Sequence, residues 1–353
     1  MLVRRHGGDY NFVGDTASGV TLRWGRTTHD DPARAPWPEL ADIAISNRCS
    51  RGCAVCYRDS APDGALMSFE QYAFVLERLQ SPRWGNVFQV ALGGGEPLEH
   101  PDFEHIVRHT RSRGVMVNFT TSGAGLDQAR ARGLGDSVGA AAVSAMSLDR
   151  LDGKAVTLLA EAGVRVNIHF VLSAVSLGEA TDILLGKRNE LLRGVNAVIF
   201  LTLKPMGRAT REDCLRDGPD LGRFIASIEG NRCSAKIGFD ACFVPPLLRH
   251  TGVNRECIDT CEGGFFSLFI DETMHAKPCS FASDDRHSLD MERSDMDSIW
   301  NDSFAAYRIS VSQRACGEQC EASPQCRGLC PYHPGIVPCP GRAFATEARP
   351  VVN

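Results

Sequence analysis

Where its fourteen cysteines fall constrains this 353-residue chain more than any other feature. Three lie at Cys49, Cys53 and Cys56, eight between Cys257 and Cys339, and Cys214, Cys233 and Cys242 stand apart. The opening MLVRRHGGDYNF has basic residues but no apolar run behind them, and no later stretch approaches the ~18 uninterrupted apolar residues of a membrane helix. The chain therefore reads as cytoplasmic, with no membrane span. In that reducing setting disulfides explain so many cysteines poorly, which leaves metal ligation. Composition supports a folded, soluble reading: 43% hydrophobic and 23% charged residues exclude disorder, collagen and coiled coil. Lys and Arg number 38 against 43 Asp and Glu, a net charge of −5, so no general basic field is available for nucleic acid.

From residue 42 short apolar runs alternate with helical patterns. Strands are expected at 43–45, 87–92, 115–120, 141–145, 164–172 and 197–203. Helices are expected after Ser68, whose Ser68-Phe-Glu-Gln71 run is a capping box, and at 103–113 and 155–162, with weaker patterns at 128–132 and 181–190. Six β-then-α units with nearly continuous apolar strands predict an α/β fold, a parallel sheet closed into a partial (β/α)6 TIM-like barrel. Chemistry in such folds sits at the carboxyl ends of the strands. The loops there, 47–59, 93–100 and 121–125, are the unusual ones. Before them a small hairpin is expected at 10–13 and 20–24. After about residue 230 the alternation is expected to stop and a cysteine-rich region to begin, with a short strand at 266–270. The expected divisions are 1–41, 42–240, 241–345 and a tail at 346–353.

The C-x3-C-x2-C spacing of Cys49, Cys53 and Cys56 follows directly on an expected strand. Three thiolates on one loop suit three irons of a four-iron cluster, leaving the fourth open to a small molecule. A zinc site would want a fourth ligand. The loop resembles the signature of the radical S-adenosylmethionine (SAM) enzymes. That resemblance implies that Cys49, Cys53 and Cys56 hold a 4Fe–4S cluster and that SAM binds its open iron. The residue before the last cysteine, often aromatic in that family, is Val55 here, and Tyr57 lies on the other side.

Gly93-Gly94-Gly95-Glu96-Pro97 follows the second expected strand. A dinucleotide fingerprint would want a glycine where Leu98 stands. The segment instead resembles the family's G-G-E-P motif, which implies SAM contacts at Gly94, Gly95 and Glu96. A bulky residue at 95 is then expected to weaken SAM binding while sparing the irons. By the same resemblance Thr121, Ser122, Ser144 and Asn167 fall where ribose and carboxylate contacts lie. Met206, in Lys204-Pro-Met-Gly-Arg-Ala209, falls where backbone runs along the adenine.

Cys316-x3-Cys320-x5-Cys326-x3-Cys330, with Cys339 after it and Cys261 and Cys279 before it, resembles the SPASM extension of peptide-maturing and sulfatase-maturating radical enzymes. The usual first C-x2-C is widened by one residue, and Met274 replaces a usual glycine. The resemblance implies two auxiliary 4Fe–4S clusters. One would use Cys257, Cys261, Cys279 and Cys330, with Cys242 an alternative to Cys257. The other would use Cys316, Cys320, Cys326 and Cys339. Three clusters in all would take eleven cysteines, the number left when Cys214, Cys233 and Cys242 are set aside. Cys242 is otherwise a candidate hydrogen donor.

The resemblance implies an enzyme in which a 5′-deoxyadenosyl radical takes hydrogen from a ribosomally made peptide, to crosslink, epimerise or oxidise it. The alternative is a dehydrogenase or epimerase of an aminoglycoside or cyclitol. Expected partners are that substrate, an electron donor such as flavodoxin or ferredoxin, and a separate leader-peptide-recognition protein. The 48 residues before Cys49 are too few for a recognition domain of about 80 residues.

Overall fold

The computed structural model describes residues 1–314, 320, 325–337 and 339. Strands Leu40–Ser46, Gln89–Gly94, Met116–Thr121, Ala140–Ala145, Arg165–Leu172 and Ala197–Thr202 lie side by side, each parallel to the next. Helices Phe69–Arg78, Phe103–Ser112, Gln128–Gly135, Gly153–Glu161 and Leu177–Leu184 fill the connections. The expected partial barrel is thus present.

Strand Arg165–Leu172 shows why these segments fold this way. Val166, Ile168, Phe170 and Leu172 are buried, while Asn167, His169 and Val171 alternate with them on the opposite face. Ile168, Phe170 and Leu172 pack with Ala180, Ile183 and Leu184 of the following helix in one core cluster. Each large side chain buried there stabilises the fold by roughly 1.5–3 kcal/mol. The first helix starts as its capping box predicts. The Gln71 amide donates to the Ser68 hydroxyl, and the Ser68 amide donates to Gln71 Oε1. Tyr72, Val75 and Leu76 form its buried face.

Three features differ from the sequence expectation. The alternation does not stop near 230: helix Pro219–Glu229 leads into a seventh parallel strand, Lys236–Phe239, beside Ala197–Thr202. Its four residues contribute only Ile237 and Phe239 to the apolar layer, too short a run for the period to register. Strand Ser267–Ile270 is not confined to a separate cysteine-rich region. It pairs parallel with Leu40–Ser46 at the other side of the sheet, and His275–Lys277 and Leu289–Asp290 follow it antiparallel. The amino-terminal hairpin gains a third strand, Leu2–His6, beside Asn11–Asp15 and Thr21–Trp24. Its LVRRH sequence hides an inward arginine: Arg5 is buried and donates to the carbonyls of Trp37, Pro38 and Asn86. Among the described residues no helix is long and apolar enough to cross a membrane.

Candidate functional site

The three-cysteine loop leaves the first parallel strand and is held by backbone and side-chain hydrogen bonds together. The Cys49 amide donates to Ala61 O at 3.0 Å and the Cys56 amide to Cys53 O at 3.3 Å. Ser50 N and Oγ donate to the Glu99 carboxylate, and Arg51 reaches the carbonyls of Ser122 and Arg150. Cys53 is exposed, and Cys49 and Cys56 are half-buried. Burial pushes the Cys49 thiol up, and nearby Glu96, Glu99 and Cys53 add to it.

The glycine segment is built against that loop. Gly95 N donates to Ser46 O at 2.6 Å and Glu96 N to Arg48 O at 2.8 Å. A Cβ at Gly94, whose φ is +107°, would stand 2.1 Å from Ser46 O, and one at Gly95 would stand 2.0 Å from Arg48 O. These two glycines therefore fit backbone to backbone. A bulky residue at 95 would push on the cysteine loop itself, so it would not spare the irons as the motif alone suggests. Gly93, where a Cβ would meet nothing within 4 Å, is the glycine beside open space.

Glu96 is buried, at 1% exposure, and its carboxylate accepts from four donors: Thr121 Oγ1 (2.5 Å), Ser122 Oγ (2.5 Å), Ser122 N (2.7 Å) and Leu98 N (3.2 Å). Glu96, Thr121 and Ser122, singled out separately in sequence, thus form one group at the carboxyl ends of the second and third strands. Ser144 lies one strand further on, paired in register with His169. Asn167 is not brought to the group. It sits near the start of its strand, and its side-chain oxygen accepts from Asn196 Nδ2 at 2.8 Å.

The run after the sixth strand clamps the cysteine loop from the other side. Arg208 donates from its backbone to Cys56 O (2.9 Å), from Nε to Cys53 O (2.8 Å), and from Nη1 to Asp59 and Ser60 O. Gly207, with φ +63°, lies so close that a Cβ would reach 2.2 Å from Cys56 O. Met206, between Lys204 and this clamp, is half-buried.

A second group of thiols gathers beyond the barrel. Cys242 donates to Cys330, which raises the first thiol and lowers the second. Burial pushes Cys261 up to about 11, with Cys242 adding to it, and Cys279 up to about 12, with Cys261 and Cys242 adding. The four that act on one another are thus Cys242, Cys261, Cys279 and Cys330. Cys257 is exposed, at the end of the short turn Arg255–Cys257. Cys320 and Cys326 pack on a patch of Val244 and Leu248, and Cys339 is buried. Cys316 lies outside the described residues. Among those residues no three His, Cys, Asp or Glu side chains are drawn into the geometry of a bound ion.

Aromatic rings connect the two groups. The Tyr57 ring, next to Cys56, lies 4.8 Å from that of Phe281, whose amide donates to Cys279 Sγ at 3.4 Å. Lys204 Nζ sits 4.3 Å from the Phe281 ring centre and 2.6 Å from Asp240 Oδ2. Burial opposes the Lys204 charge, but Asp240 and the thiols Cys242 and Cys279 outweigh it and hold the ammonium protonated. Sequence reasoning missed His169, Asp240, Phe281 and the Arg208 clamp. Asp240 follows the seventh strand, whose short pattern hid the carboxyl end it marks. His169 faces away from the apolar layer, and burial takes it down to about 4.

Residues 43–170 match the model of the Radical SAM superfamily. The PqqA peptide cyclase of Streptomyces rochei is 34% identical over 94 residues, 26% of this chain and 25% of that protein. The present chain thus aligns with only about a quarter of that relative. The mycofactocin maturase MftC of Mycobacterium ulcerans is 26% identical over 318 residues, 81% of each chain. In fold, Streptococcus suis SuiB, whose structure has been solved bound to the precursor peptide SuiA, superposes with a TM-score of 0.70 at 13% identity, over 93% of this chain and 94% of that one. The three-cysteine loop and the G-G-E-P segment both lie inside the matched residues, so residues 43–170 of this chain carry a radical SAM domain.

Proposed function

We propose that this chain is a radical SAM enzyme that modifies a ribosomally made peptide. The observation that carries the reading is the likeness to mycofactocin maturase across four-fifths of both chains. Cys49, Cys53 and Cys56 suit a 4Fe–4S cluster: three thiols on one loop, two of them half-buried and one exposed. Bound there, cluster and SAM together supply a 5′-deoxyadenosyl radical that takes a hydrogen atom from carbon.

The protein's own contribution is placement. Arg208 and Glu99 fix the cysteine loop. Thr121 and Ser122 hold the Glu96 carboxylate in one orientation for the methionine ammonium. Ser144 and Met206 would add further contacts to SAM, and Gly93 would leave room for it. In the cysteine-rich region Cys242, Cys261, Cys279 and Cys330 would hold one auxiliary 4Fe–4S cluster, with Cys242 in place of Cys257. A second would draw on Cys316, Cys320, Cys326 and Cys339. Flavodoxin or ferredoxin would supply the electron, and a separate protein would read the peptide's leader.

The test is to incubate anaerobically reconstituted protein with SAM, dithionite and synthetic peptides made from any short open reading frames found beside its gene. The expected result is 5′-deoxyadenosine together with a mass change in the peptide. 5′-Deoxyadenosine formed with the peptide left unaltered, and a neighbouring cyclitol or aminosugar converted instead, would overturn the peptide reading.

A further inference from the structure

Lys204 and Asp240 stand just past the ends of the sixth and seventh parallel strands, and Lys204 is only 3% exposed. The Asp240 carboxylate accepts from Lys204 Nζ (2.6 Å), Thr202 N (3.1 Å) and Thr202 Oγ1 (2.7 Å), so strand ends fix it and it fixes the ammonium. Asp240 lies two residues before Cys242, and Lys204 reaches from it to the Phe281 ring, so the ammonium stands between the segments that carry Cys242 and Cys279. Phe281 extends the same arrangement, with Lys204 over its ring and its amide on Cys279 Sγ.

Stability does not account for such a pair, since buried ion pairs can often be replaced by apolar side chains at no loss. A fixed positive charge beside sulfur ligands has a more specific consequence. The reduction potential of an iron–sulfur cluster is set by net charge, hydrogen bonds to sulfur and solvent exclusion, and charges act strongly where water is absent. We infer that Lys204, held in place by Asp240, raises the reduction potential of the cluster carried by Cys242, Cys261, Cys279 and Cys330. Reduction adds a negative charge there, and the nearby ammonium favours that form. The inference rests on the reading that those four thiols hold a cluster. Lys204 is a positioning residue of charge and touches no substrate.

The experiment is an anaerobic potentiometric titration followed by electron paramagnetic resonance. It uses the full chain with Cys49, Cys53 and Cys56 replaced by Ala, so that only auxiliary iron is read. Absence of iron from this protein would remove the cluster reading and the inference with it. With iron present, Lys204→Met is expected to keep the iron and lower one transition by tenfold or more in its equilibrium constant, 59 mV for a one-electron couple. Lys204→Arg should stay within threefold of the parent. Lys204→Met/Asp240→Asn, which leaves no buried carboxylate alone, should shift in the same direction as Lys204→Met. An unchanged potential at full iron would overturn the inference while leaving the cluster reading intact. Loss of the iron from both neutral variants would overturn it too, since the pair would then serve to hold the fold.

Discussion

The two cysteine groups are built on opposite principles. The first places Cys49, Cys53 and Cys56 on one loop, held by backbone from the first, second and sixth strand ends, with Cys53 exposed. The second collects Cys242, Cys261, Cys279 and Cys330 from four separated segments and encloses them among aromatic side chains and buried charge. A loop of close-spaced ligands can leave one coordination position open to a small molecule. A set drawn from four segments closes around its contents, which suits storing or passing an electron rather than binding substrate.

The largest test of this contrast is ligand removal. Cys242→Ala is expected to lose about four of roughly twelve irons, at four per cluster, while Cys257→Ala keeps them. Iron and sulfide analysis of anaerobic protein decides it; the opposite pattern would return Cys257 to the closed group. Next comes backbone fit. Gly95→Val and Gly207→Val drive a side chain into the Arg48 and Cys56 carbonyls respectively, so each should destabilise the protein by on the order of 3 kcal/mol and deplete the iron of the open loop. Gly93→Ala should keep both iron and stability and weaken SAM binding alone, as calorimetric titration would show. If all three variants behaved alike, the distinction between structural and ligand-facing glycines would fail.

A smaller effect is expected at Glu96. Ser122→Ala removes one of its donors from a buried carboxylate, a loss of about 1–3 kcal/mol, and should lower SAM affinity without changing iron. The smallest concerns Asp42, on the first strand, whose carboxyl burial raises to about 6 although Arg58 pulls it back. The folded chain then holds this proton more tightly than the unfolded chain does. Its contribution is full below about pH 4 and is lost as pH rises through 6. Asp42→Asn should therefore match the wild type near pH 3 and exceed it by on the order of 3 kcal/mol at pH 8. Thermal melts across that range, showing a constant difference, would count against the raised carboxyl.

The same contrast explains what could be read from sequence. The open loop was legible because its ligands are neighbours in the chain, and the parallel strands were legible because each carries a run of apolar residues long enough to show its period. Glu96, Thr121 and Ser122 were found one by one, yet nothing in the sequence says that the two hydroxyls bond the carboxylate. The closed group was legible only as a tally. Choosing between Cys242 and Cys257 requires knowing that a seventh strand, too short to show its period, carries the chain past Asp240 toward Cys279. Asn167 was misplaced for a related reason: its strand was recognised, but its depth along the strand depends on register with Ala197 and Asn196.

The pairing of Ser267–Ile270 with Leu40–Ser46 also imposes an order in time. At roughly 5–20 residues per second, about ten to forty-five seconds of synthesis separate the two strands. Throughout that interval the strand that delivers the three-cysteine loop has one bare edge, the kind of surface on which nascent chains associate wrongly. Such distant pairing is also slow to form once both partners exist. The loop made first to receive iron thus sits on a scaffold finished among the last, and metal delivered early would meet a strand still lacking its neighbour.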